Sequence, residues 1–116
     1  MRNETVKEMT RMFRALSVEK RVEIVRLLSN RTLCVGALSR LLGISPGAVS
    51  QHLRILKDAG IVEPDRRGYY VHYSLAPDAA AMCRGVADSL FKTKPESKKG
   101  DRECVAERRN AGSRRR

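Results

Sequence analysis

The sequence predicts a mainly helical fold with one small β-hairpin, in the order α-α-α-α-β-β-α. Two observations carry that prediction. Apolar residues recur at helical spacing on both sides of a short stretch, Ile61 to Leu75, where the period falls to two. Serine, proline and glycine sit at the junctions where helices start and stop. A length of 116 residues with 41% hydrophobic content suits one small domain with a modest core.

Val6, Met9, Phe13 and Leu16 form the apolar stripe of a first amphipathic helix. Ser17 can cap a second, whose apolar positions include Val22, Ile24, Val25, Leu27 and Leu28. The polar stretch SNRT interrupts the pattern. A third, short helix is expected from about Leu33 to Leu42, with Leu38, Leu41 and Leu42 inward. Gly43 then permits a tight turn, Ser45 can cap a fourth helix, and Pro46 fits its first position because the missing N–H costs nothing there. That helix is expected to run to about Ala59 and stop at Gly60.

IVEPD and YYVHYSL read as two short strands joined by a tip at Arg66, Arg67 and Gly68. Pro64 implies that the first is short or lies on an edge. The run APDAAAMCRGVADSLF returns to helical period, with Ala79, Met82, Cys83, Val86, Ala87 and Leu90 on one face. Gly85 weakens this last helix without breaking it. From Lys92 onward Lys, Arg, Glu, Ser and Gly dominate, so residues 1–91 are expected to fold and 92–116 to form a basic, flexible tail carrying Cys104.

Charge narrows the function. The formal net charge is +11. Residues 1–91 hold 14 basic against 9 acidic side chains, a net of +5, so the folded part is basic without its tail. Such a body suits a polyanion, most often nucleic acid, although a soluble domain with a charged tail would show the same balance. No apolar run approaches the roughly 18 residues a membrane helix needs, and MRNETVKEM is no signal peptide. A cytoplasmic protein with reduced thiols and no membrane partner is expected. Three cysteines, odd in number and irregular in spacing, do not make a disulfide framework. No nucleophile–base pair, carboxylate cluster or phosphate loop is visible, so an enzyme is not expected.

The segment LSRLLGISPGAVSQHLRILKDAGIV gives a short helix, a glycine turn and a capped second helix. With the hairpin as wing, the fold reads as a winged helix-turn-helix. On the second helix Val49, Leu53 and Leu56 share one face, while Gly47, Ser50, Gln51 and Arg54 gather on the other. Gln pairs with adenine, Arg with guanine and Ser with base or phosphate, so this face suits a major groove. Gly47 would allow close backbone approach, and Ser45 opens the same helix. His52 lies between the two faces and suits packing or a phosphate contact better than a metal. Arg66 and Arg67 at the tip suit the phosphate backbone or minor groove. An ordinary solvated helix face and turn remain the competing reading of these residues.

The residues LSVEKRVEIVRLL, LCVGALSRLLGISPGAVSQHLRILKDAGIV and RRGYYVHYSL together resemble the ArsR/SmtB family of metalloregulatory repressors, over about residues 5–91. The resemblance implies a homodimer joined through helices near 5–16 and 77–91, bound to double-stranded operator DNA through Ser50, Gln51, His52 and Arg54, and released by an effector. It implies no permanent cofactor.

Where the family can place a Cys-x-Cys in the third helix, this chain has Cys34 and Gly36, so that thiolate pair is absent. Where zinc-type members need an Asp-x-His and a later His-x-x-Glu, it has Pro77, Ala79, Leu90 and Thr93. Sulfur remains. Cys83 lies on the last helix and Cys104 in the tail. Thirteen residues beyond Phe91 span roughly 20 Å as coil, while helix rise from residue 91 back to 83 is about 12 Å. The two thiols can therefore meet, within one subunit or across two. Arg84 and Arg102, beside and near them, would favour the thiolates.

Two soft donors suit a thiophilic ion. Trivalent methylarsenic has one valence filled by carbon and needs two thiols, whereas arsenite takes three. The Cys83/Cys104 pair therefore points to methylarsenite, and it resembles the methylarsenite-responsive ArsR branch. Cys34 could be a third ligand for arsenite or antimonite. Cys83 could be a plain core residue, or the pair a redox switch. An architectural DNA-binding protein would share the basic body and need no effector.

Overall fold

Helix α1 (Asn3–Ala15) opens the computed structural model, which describes residues 3–92. Its stripe divides. Met9, Met12 and Ala15 are buried, while Val6 and Phe13 remain 46% and 43% exposed. Phe13, which the periodicity places inward, is thus exposed, while Met12 and Ala15, outside that stripe, are buried. Helix α2 (Glu19–Leu27) starts at Val18 with no side-chain cap. Ser17 does not cap it, because its hydroxyl donates to the Arg14 carbonyl at 2.8 Å and closes α1 instead. Ile24 and Leu28, four apart, bury on one side of α2; Val22 falls on the other and is 40% exposed.

The third helix starts later than its sequence suggests. Leu33–Cys34 forms strand β1, followed by helix α3 (Val35–Leu42). Cys34 is the extended N-cap residue, and its Sγ accepts the Ala37 N–H at 3.4 Å. Gly43 takes φ 69°, the left-handed conformation that ends α3 at little cost. Leu38 and Leu42 bury, but Leu41, expected inward, is 54% exposed.

Helix α4 (Pro46–Asp58) is bounded as its sequence suggests. Ser45 caps it by accepting the Ala48 N–H at 3.1 Å, and Pro46 opens it. At the far end, Gly60 donates to the Lys57 carbonyl and Ile61 to that of Leu56, both at 2.9 Å. Gly60 has φ 80°, so the pair of bonds forms a Schellman stop.

Strands β2 (Val62–Arg67) and β3 (Tyr70–Leu75) then pair antiparallel in the order β1-β3-β2. Pro64 therefore lies on an edge strand, where its missing donor is tolerated. Leu33 pairs with Tyr73 and Cys34 with His72. Strand β1 was not expected. Helix α5 (Ala79–Leu90) closes the described part, with Ala79 buried and Leu90 and Phe91 45% and 71% exposed.

The core gathers on the α3–α4 unit. Ile24, Leu38, Val49, Leu53 and Leu56 are the largest fully buried side chains. Each contributes about 2 kcal/mol of burial. Ile61 and Val62 join them, and Met82, Cys83 and Val86 pack against the cluster. A helix-turn-helix on this core with a three-stranded wing is a winged helix-turn-helix, as the sequence predicts.

Candidate nucleic-acid interface and thiol positions

The buried face of α4 fixes what the opposite face displays. With Val49, Leu53 and Leu56 at 0–1% exposure, Gly47, Ser50, Gln51 and Arg54 are exposed together, and Ser45 with them. A Cβ added at Gly47 would meet only Ser45 Oγ, at 3.9 Å. The protein's own packing therefore does not require glycine there, which leaves room for an outside molecule to approach. Two residues on this side carried no signal of their own in the sequence. Lys57 continues the Ser50–Arg54 row at helical spacing, and Tyr73 comes from the wing. Together with Leu53 and Asp58 they line a groove of about 410 Å³ between α4 and β3.

Strand register separates the two wing arginines. Arg66 pairs with Val71 and Arg67 with Tyr70 inside the ladder, so the tip is Gly68 and Tyr69 rather than the arginines. Gly68 has φ 63° and, among the described residues, no non-glycine residue has positive φ, so Tyr69 does not, the sign pattern of a type II′ hairpin turn. Since successive strand residues face opposite ways, Arg66 shares its face with Tyr73. Arg67 shares the other with Asp65, to which its Nε donates at 2.9 Å. Of the two, Arg66 has its charge free of that ion pair.

His52 is half-buried at the edge of the exposed face. Its Nδ1 lies 3.3 Å from Nη1 of Arg21, a residue only 7% exposed. Burial first, and the Arg21 charge second, hold the imidazole below its usual 6.5, so the ring is neutral at pH 7. Folding is therefore favoured above about pH 6.5 and loses this contribution as pH falls through the lowered value. Arg21 also donates through Nε to the Ala15 carbonyl at 2.6 Å and through Nη2 to that of Arg14 at 3.1 Å. Sequence reasoning overlooked Arg21, which stands as one charge among the polar residues of α2.

The thiols lie apart in role. Cys34 is a helix cap at the start of the α3–α4 unit, across the sheet from His72. The buried Nδ1 of His72 has no hydrogen-bond partner among the described residues. Cys83 is half-buried against the core, and burial raises its pKa. That corrects the expectation of a thiolate favoured by Arg84, whose side chain is exposed. Cys104 lies outside the described residues. Among those described, no group of three or more His, Cys, Asp or Glu could hold a metal ion, and no helix is long and apolar enough to cross a membrane.

Residues 19–64 match the family described as bacterial regulatory protein, arsR family. The arsenical resistance operon repressor of Escherichia coli is 34% identical over 86 residues, covering 73% of this chain and 74% of that one. An ArsR-like transcriptional regulator from a Rhodococcus species superposes with a TM-score of 0.70 at 28% identity, covering 97% of this chain and 98% of the other. The homodimeric winged helix-turn-helix DNA-binding domain of a possible ArsR-family regulator from Mycobacterium bovis gives 0.62 at 28% identity, covering 78% and 88%.

Proposed function

This chain belongs to the ArsR family of bacterial regulatory proteins, a family of DNA-binding transcriptional repressors rather than enzymes, and we propose that it is a homodimer released from its operator by a trivalent arsenical. The observation that carries the DNA part is the face of α4. A capped helix anchored by three buried apolar residues shows Ser45, Gly47, Ser50, Gln51 and Arg54 to solvent. His52 lies at the edge of that face, and the wing would add Arg66 and Arg67. Gln51 and Arg54 would read base edges, and the serines and wing would hold phosphates. Two such helices in a dimer suit a near-palindromic site.

The effector part rests on sulfur. Relatives are named for arsenical resistance, the imidazole–carboxylate ligand set is missing, and the sequence places Cys104 within reach of Cys83. Methylarsenite is preferred because a two-thiol site satisfies it. Each thiol would replace one hydroxide of the methylarsenic(III) diol. An As–S bond forms as an As–O bond breaks, and the thiol proton leaves with the hydroxide as water. A Cys83 held protonated by burial brings that proton with it. Tethering the tail to α5 would shift the two reading helices. A coupling of about 1–3 kcal/mol would give roughly 5- to 150-fold derepression.

The test is release from a duplex enriched out of random DNA by the wild-type protein. Methylarsenite, arsenite, antimonite, zinc and peroxide are compared on wild type, Cys34→Ser, Cys83→Ser and Cys104→Ser. Methylarsenite should release wild type and Cys34→Ser but not the other two variants. A full response in Cys83→Ser or Cys104→Ser would sink the site. Loss in Cys34→Ser would mean three thiols and inorganic arsenite, and release by peroxide alone would mean a redox switch.

A further inference from the structure

Arg21 carries a charge into the core, and among the described residues no carboxylate pairs with it. Its three acceptors are the Ala15 and Arg14 carbonyls and the His52 imidazole. The carbonyls belong to the last turn of α1, whose final C=O groups lack helical partners and carry the negative end of the helix dipole. One guanidinium therefore closes α1 and at the same time reaches across to α4.

The imidazole contact has one chemical solution. A guanidinium has five N–H donors and no acceptor, so Nδ1 of His52 must be the acceptor and carry no proton. In a neutral ring the proton then sits on Nε2.

We propose that Arg21 is a positioning residue for DNA reading: it pins α4 to the end of α1 through His52 and fixes the ring so that Nε2–H is a standing donor to a phosphate oxygen. This rests on α4 being the helix that meets DNA. Among the described residues Arg21 is the charged group that acts on the ring. Protonating Nδ1 would set an N–H against the guanidinium and break the link. Acid should therefore weaken DNA binding. A histidine acting as a simple cationic phosphate contact would do the reverse, so the sign of the pH dependence decides between them.

The experiment measures affinity of the full chain, without effector, for the enriched duplex between about pH 7.5 and pH 5.5. Wild-type affinity should fall roughly 5- to 10-fold on acidification. His52→Gln keeps an N–H near the ε position and does not titrate, so its profile should be flat over that interval. His52→Asn loses the outward donor and should bind about 10-fold more weakly at neutral pH. Long-range nitrogen–proton NMR should show one ring tautomer in wild type, protonated at Nε2, and a mixture in Arg21→Lys. If Arg21→Lys fails to fold, the two His52 variants still decide.

Affinity that rises on acidification, an unchanged pH profile in His52→Gln, or a wild-type ring protonated at Nδ1 would overturn the proposal. Gln51→Ala and Arg54→Ala separate the two levels. If neither lowers affinity, the assignment of α4 to DNA fails; if both do and the pH tests fail, the Arg21 link alone is wrong.

Discussion

The hydroxyl of Ser45 accepts the Ala48 N–H and satisfies one of the backbone donors that α4 would otherwise leave unpaired. Replacing it with alanine should cost about 1 kcal/mol, read as a lower urea midpoint with unchanged slope. Ser17→Ala should cost only a few tenths, because that hydroxyl is exposed and the Arg14 carbonyl it bonds also accepts from Arg21. An equal loss in the two variants would mean that Ser45 is not acting as a cap. Ser45 was legible because its signals are adjacent: glycine turn, serine, proline, then an apolar period. Arg21 was not. Its partners stand six and seven positions back and 31 ahead, and two of them are backbone carbonyls that no residue type announces. Exposure of Leu41 and Val22 was equally hidden, since periodicity names an apolar stripe without saying which part of it finds a partner.

At the level of elements, the wing shows what a period of two can and cannot reveal. Alternation located β2 and β3, and Pro64 correctly marked an edge strand. Strand β1 has two residues, too few to display a period, and its partners on β3 lie about forty positions downstream. It was absorbed into the helix that follows. The tip was misplaced for a related reason, because ladder pairing continues through Arg67 and leaves a two-residue turn. Opposite faces for Arg66 and Arg67 then yield a graded expectation. Arg66→Ala should weaken binding to the enriched duplex several-fold and lower the salt slope by about one. Arg67→Ala should do less, since Asp65 already takes up its charge, and Asp65→Ala should strengthen binding by freeing it. Equal losses from both arginines in a salt titration would show that register does not separate their roles.

For the whole molecule, the question is what apolar surface the core leaves unused. Val6 and Phe13 lie seven positions apart on α1, at the outer edge of the stripe that buries Met9 and Met12, and each keeps more than two-fifths of its surface in water. Leu90 and Phe91 at the end of α5 are also exposed. Two apolar helix faces on a chain of net charge +11 fit self-association, in which a second copy supplies an identical face. A charge at the centre of such a face would have to be buried unpaired in the dimer, at a cost of several kcal/mol, yet would remain in water in the monomer. Phe13→Glu should therefore leave the circular dichroism spectrum unchanged and turn a dimer into a monomer in sedimentation velocity. With one reading head in place of two, affinity for a palindromic duplex should fall by about two orders of magnitude and the salt slope by roughly half. Binding to an isolated half-site should hardly change. A variant that still sediments as a dimer, with full affinity for the palindrome, would move the interface away from α1.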